Sequence, residues 1–199
     1  MRILATVFMV MLVFSVGCQR PPPPPNPEEV AQDRAFQLAA AAANELVSAL
    51  MPELQAAMKA DGPAGALAVC ADRAQQLTAE VEARYAEQGL RIRRTAQRVR
   101  NPLNAPDEWE QQWMDHAAAS IGDTVSVTLR SIDEQGRVEI RYLRPLLLSE
   151  ACLPCHGPAE QIDPAVRTLL DERYPDDEAT GFQVGDFRGM ISVRVPVKP

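Results

Sequence analysis

Histidine is scarce in this 199-residue chain: there are two, His116 and His156. That count excludes an imidazole-rich metal centre. Cysteines number four, at 18, 70, 152 and 155. A structural zinc site needs four thiolate or imidazole ligands, and here they could be gathered only by recruiting Cys70 or His116. A basic surplus is missing too: Lys and Arg total 20 against 27 Asp and Glu, a formal net charge of −7. Such a chain lacks the phosphate-neutralising surface of a nucleic-acid binder. Aromatics are few, at 5%, and the sequence has no internal repeat. The apolar run Ile3–Val16 is too short to span a bilayer comfortably.

That run does fit an export signal. Arg2 supplies the positive start, Ile3–Val16 the apolar stretch, and small residues precede Cys18, the order of a secretory leader. "SVGC" resembles a bacterial lipobox, whose cysteine becomes the lipidated N-terminus, although Ser15 stands where leucine is usual. Ser15 and Gly17 also suit ordinary signal cleavage. The expectation is a signal peptide over 1–17, a lipid at Cys18, and a mature protein held at a membrane in the bacterial periplasm. "QRPPPPPNP" follows; proline runs adopt the extended polyproline II form at ~3.1 Å per residue. Residues 18–29 therefore read as a spacer ahead of one folded domain, 30–199. Its core needs no disulfides, because 46% of the chain is hydrophobic.

Within that domain the apolar period is first helical and then two. Asn26-Pro27-Glu28-Glu29 is a helix start. Phe36, Ala40, Ala43, Val47 and Leu50 keep helical spacing to about Met51. Pro52 should kink or restart this helix, and "DGP" at 61–63 should end it. A second helix is expected from about Ala64 to Gln88, capped by Gly89, and a third from about Pro106 to Ser120. Val125, Val127 and Leu129, then Val138, Ile140 and Tyr142 across "DEQG", describe a β-hairpin. Pro145–Leu148 suggests a further strand, and Ile191, Val193 and Val195 another. Helices followed by an antiparallel sheet make an α+β domain.

The chemistry concentrates in "EACLPCHG", residues 150–157. The spacing Cys152-x-x-Cys155-His156 admits half a zinc site, a thioredoxin-like pair or a c-type haem. The ligand shortage disfavours zinc. A thioredoxin-like pair follows a strand in a βαβ unit and opens a helix, whereas this motif follows hairpin signals and precedes Gly157-Pro158. Covalent haem needs export, which the leader supplies. Both cysteines then form thioethers, and His156 faces the iron as proximal ligand. On the iron's other face the residues leave several donors open. Cys70 lies on the apolar stripe Leu67, Cys70, Ala74, Leu77, Val81. His116 sits with Trp113 on an amphipathic helix, and Met58, Met114 and Met190 read as packing residues. Among Arg91, Arg93, Arg94, Arg98 and Arg100, we expect Arg93 and Arg94 to pair with haem propionates or the pocket, and the rest to be exposed.

Four blocks, "VCADRA", "RRTAQRVRNPLNAPDEWE", "CLPCHG" and "YPDDEATGFQVGDFRGMISV", resemble the single-haem c-type proteins with a PAS-like fold, first described from cyanobacteria and long catalogued as a domain of unknown function. The resemblance covers roughly residues 30–199; Ala96 departs from it, standing where the family usually has serine. It implies an antiparallel sheet with long N-terminal helices packed against it and a haem-binding loop, and one covalently attached haem c. It also implies that Cys70, in "VCADRA", is the distal ligand opposite His156. The expected function is a redox or small-gas sensor serving an unknown redox or signalling protein partner. A monohaem electron carrier is the rival. An enzyme ranks last, because His116 is the sole spare imidazole for acid–base work.

Overall fold

The computed structural model describes residues 25–117, 127–133 and 135–198. The leader, Cys18 and most of the proline spacer lie outside the described residues, as do Val125 and the expected end of the third helix.

Helix α1 (Pro27–Ala68) begins as expected: the Asn26 side chain accepts from the Glu28 amide at 3.1 Å, with Pro27 in the first turn. Its helical dihedrals run unbroken through Pro52, which therefore does not restart it. The interruption falls at Gly62 (φ 67°, ψ −163°), a conformation open to glycine at no Cβ cost, and Pro63 opens the next turn. The expected second helix is composite: the end of α1, a π-helical turn over Val69–Arg73, α2 (Ala74–Arg84), and a 3-10 turn over Ala86–Gln88 closed by Gly89 at φ 75°.

Four strands follow: β1 (Arg91–Thr95), β2 (Val127–Ile132), β3 (Val138–Leu147) and β4 (Phe187–Pro196). They form one antiparallel sheet in the order β1-β4-β3-β2. The expected extra strand at 145–148 is the end of β3, which continues through Pro145 to a register shift between Leu146 and Leu147. Between strands lie α3 (Glu108–Ala117), the short α4 (Leu153–His156) and α5 (Pro164–Arg173). An Asp107–Glu110 capping box starts α3: each side chain accepts from the other's amide, at 2.7 and 2.9 Å.

Side-chain alternation gives the sheet two faces. Ile92, Ile140, Tyr142, Ile191, Val193 and Val195 pack against Ala35, Ala39, Ala42, Ala43 and Leu46 of α1 and Leu77 and Val81 of α2. The run of alanines lets α1 approach the sheet closely. On the opposite face Leu143 and Met190 meet Met114 of α3, flanked by Trp109 and Trp113. This is the expected α+β layout, with a long N-terminal helix against an antiparallel sheet. The end of β3 delivers the chain directly to the C-x-x-C-H segment.

Candidate functional site

A 3-10 turn over Glu150–Cys152 runs into α4. Helical winding sets Cys152 and Cys155 three residues apart on one face, with His156 next. The loop 177–182 clamps this segment through its backbone: Gly181 donates to the Gly157 carbonyl at 2.7 Å and Phe182 to that of His156 at 2.9 Å. Arg100 adds a side-chain clasp, donating to the Cys155 carbonyl at 2.6 Å and to that of Ala179 at 3.2 Å. The same guanidinium pairs with Asp177 at 2.9 Å, both side chains being more than nine-tenths buried. Removing one partner strands the other charge, so Asp177→Ala should cost about 3–5 kcal/mol of stability. The check is a lower denaturant midpoint; an unchanged midpoint would show that the pair does not hold the loop.

His156 is fixed in tautomer by its neighbours. Its Nδ1 lies 2.7 Å from the Ala179 carbonyl oxygen, which can only accept, so Nδ1 carries the proton and the Nε2 lone pair is free. Burial, then the charges of Arg100 and Arg188, hold the imidazole pKa well below its ordinary value, keeping the ring neutral. Phe182 meets the imidazole edge-on, centroids 6.4 Å apart at 80°. The Arg98 guanidinium caps Phe182 at 3.9 Å.

Cys70 sits in the π-helical turn. Such turns widen a helix by one residue and occur often at functional sites. This one is tied to three helices: Arg73 binds Glu53 of α1 at 2.9 Å and Glu80 of α2 at 2.6 Å, and Asp72 pairs with Arg173 of α5. Burial pushes the Cys70 thiol pKa up, while Arg94 and Arg100 pull it down.

These segments enclose a cavity of about 410 Å³ lined by Cys70, Cys152, Cys155 and His156, within the ~300–1,000 Å³ usual for cofactor sites. Leu46, Leu50, Leu54 and Met58 of α1 form one apolar wall, and Leu146 to Leu148 another. A smaller cleft of about 140 Å³ shares Cys70 and His156 and adds Thr95, Asn101 and Asn104. Gly189, at φ 153°, lets β4 press against β1 there: a Cβ at that position would strike the Thr95 carbonyl and lie 2.8 Å from the Ala96 Cβ.

Cys70, Cys152, Cys155, His156 and Arg94 thus converge on one space, and Arg93 does not. Adjacent strand residues point to opposite faces, so Arg93 turns away. It pairs with Glu110 at 3.4 Å and donates to the Leu103 carbonyl at 3.3 Å and to that of Ala105. Arg94 faces the cavity, its Nε and Nη2 buried without a hydrogen-bond partner. Burial lowers its pKa, while Cys70 acts in the opposite direction. Arg100, expected on an exposed basic face, is buried in the clasp described above. Arg188 was missed; it lines the cavity from β4, and its sequence signal was a single arginine beside Gly189, before the clear alternation begins at Ile191. The His116 side chain lies outside the described residues.

An antiparallel sheet, a long helix laid across it, and a cavity between them carrying a C-x-x-C-H segment define an α+β cofactor-pocket architecture. The Tll0287-like family (Tll0287) matches residues 26–196, and the chain belongs to that family. A solved structure, described as that of the cyanobacterial heme-protein Tll0287, aligns with a TM-score of 0.56 at 23% sequence identity, covering 86% of this chain and 97% of that one. At this identity the likeness is one of fold. Among curated proteins none matches.

Proposed function

We propose that this is an exported c-type haem protein acting as a redox or small-gas sensor, with its iron between His156 and Cys70. The observation that carries the reading is the convergence of Cys152, Cys155, His156 and the distant Cys70 on one cavity. Three further features support it. Among the described residues no three His, Cys, Asp or Glu side chains cluster closely enough to cage a bare ion; a porphyrin brings four nitrogens and asks the protein only for axial donors. The unpartnered Arg94 donors suit a carboxylate-bearing ligand. A solved structure that shares this fold is described as that of a heme-protein.

Bound haem supplies a one-electron ferric/ferrous couple. Cys152 and Cys155 would hold it through two thioethers, each S–H adding across a vinyl group with no outside oxidant needed. His156 gives Nε2 from a ring whose tautomer Ala179 has set. Cys70, as thiolate, would cancel the charge of a ferric centre in this low-dielectric pocket. With reduced iron the same thiolate would be an excess buried negative charge, which would make Cys70 a ligand readily exchanged for a small gas. We read this as binding and signalling, not catalysis, directed to a redox or signalling protein partner. Cys18, lipidated, holds the domain at the periplasmic face of a membrane; detergent partition of the mature protein, lost in Cys18→Ser, checks that anchor.

The test is a spectroelectrochemical titration with and without carbon monoxide. A sensor of this kind should show a low midpoint potential and bind carbon monoxide readily once reduced. Refusal of carbon monoxide in the ferrous state would mean two firm axial ligands and an electron carrier instead.

A further inference from the structure

Positive charge at one end of the cavity exceeds what the described residues balance. The guanidinium groups of Arg94, Arg100 and Arg188 line both the large cavity and the smaller cleft. Asp177 is ion-paired with one of them, Arg100, whose remaining bonds run to the Cys155 and Ala179 carbonyls. Arg94 has two buried donors, Nε and Nη2, without a partner. Arg188 donates to the Arg98 carbonyl at 3.1 Å, and among the described residues no carboxylate is bonded to it. Burial, reinforced by Arg100, pushes its pKa down to about 10. Buried cations left unpaired are strongly disfavoured. Two guanidinium groups without a carboxylate partner, Arg94 and Arg188, lining one cavity mark a place that suits two negative charges.

We propose that Arg94 and Arg188 form a two-guanidinium carboxylate receptor that takes the haem propionates and fixes which way round the ring sits. This deepens the haem reading above and rests on it. The lining of the two spaces supplies the direction. Both share Cys70 and His156; Cys152 and Cys155 line only the larger, and Thr95, Asn101 and Asn104 only the smaller. Vinyl and propionate groups occupy opposite edges of protoporphyrin. Thioether attachment at the Cys152–Cys155 end would therefore turn the carboxylates away from that end, toward the arginines. The charges also match. A ferric porphyrin core bound by one thiolate is neutral, which leaves two propionates for two unmatched guanidinium groups. Arginine's planar fork accepts a carboxylate through two parallel bonds, and Arg94 has Nε and one terminal nitrogen free for that geometry.

The experiment uses the full holoprotein with Arg94→Gln and Arg188→Gln, and Arg94→Lys and Arg188→Lys as charge-keeping versions. Haem content, the propionate-bending resonance Raman bands and the midpoint potential are read for each. Both glutamine variants should keep covalent haem while shifting the propionate bands and lowering the midpoint, since losing a nearby positive charge favours ferric iron. The lysine variants, which guard against misfolding of the neutral ones, should hold the midpoint closer to wild type but still shift the bands, because the fork is lost. Unchanged bands and midpoint in fully haem-loaded variants would overturn the receptor and leave the haem reading intact. Bands that move when acetate is added to wild type, with the arginine variants silent, would assign the site to a free carboxylate and overturn it as well. A wild type without covalent haem would overturn both.

Discussion

Replacing both motif cysteines by serine, Cys152→Ser with Cys155→Ser, is expected to abolish covalent haem entirely. A hydroxyl does not add across a vinyl group under the conditions in which a thiol does, so no thioether can form at either position. Both thiols are free, in the sense that neither is in a disulfide, and one helical face presents both to the cavity. Wild-type protein matured with c-type assembly machinery should retain its haem through acidified acetone, and the double variant should yield none in the protein pellet. Haem that washes out of wild type, or stays with the double variant, would contradict thioether attachment. The fold itself should survive: neither cysteine is a fully buried core residue, and the sheet–helix core is built from other side chains.

Cys70→Ser should have the next largest effect, on the electronic character of the site. Serine keeps the size of the residue and the anchored π-turn, whose ties run through Arg73 and Asp72, but it offers iron no thiolate at neutral pH. The thiolate bands of the ferric spectrum should vanish. The midpoint potential should rise, because the anionic donor that favoured ferric iron is gone, and a potential that stays put would count against ligation by Cys70. The surrounding charges sharpen this expectation. Burial, the largest influence, disfavours a thiolate at Cys70, and Arg94, Arg100 and Arg188 pull the other way.

Much of this architecture is written in local sequence, and its limits are physical. The start of α1 was legible because Asn26 and Pro27 carry their own capping chemistry. The hairpin was legible because Val138, Ile140 and Tyr142 alternate with charged residues. Strand β1 escaped because arginines occupy three of its positions on both faces, so no hydrophobic period exists to detect. With β1 unseen, Arg93 and Arg94 could not be told apart, although strand alternation alone separates them. Helix α5 had a usable signal, the Asp163 cap and Pro164 in its first turn, which lay in the shadow of the C-x-x-C-H segment just before it. The π-turn at Cys70 had none: its ion pairs run to Glu80 of α2 nearby but also to Glu53 of α1 and Arg173 of α5, partners that sequence spacing does not reveal. Arg100 illustrates the same boundary. A basic cluster in an acidic protein looks solvated until Asp177, from a loop beyond the motif, arrives to bury it.

The central claim is that His156 and Cys70 face the same iron from opposite sides. Electron paramagnetic resonance of the ferric wild-type holoprotein, recorded beside Cys70→Ser, tests it most directly. The account predicts a low-spin signal with the narrow g-spread of imidazole–thiolate ligation, lost in the variant. A wide g-spread typical of two imidazoles, unchanged by Cys70→Ser, would contradict it.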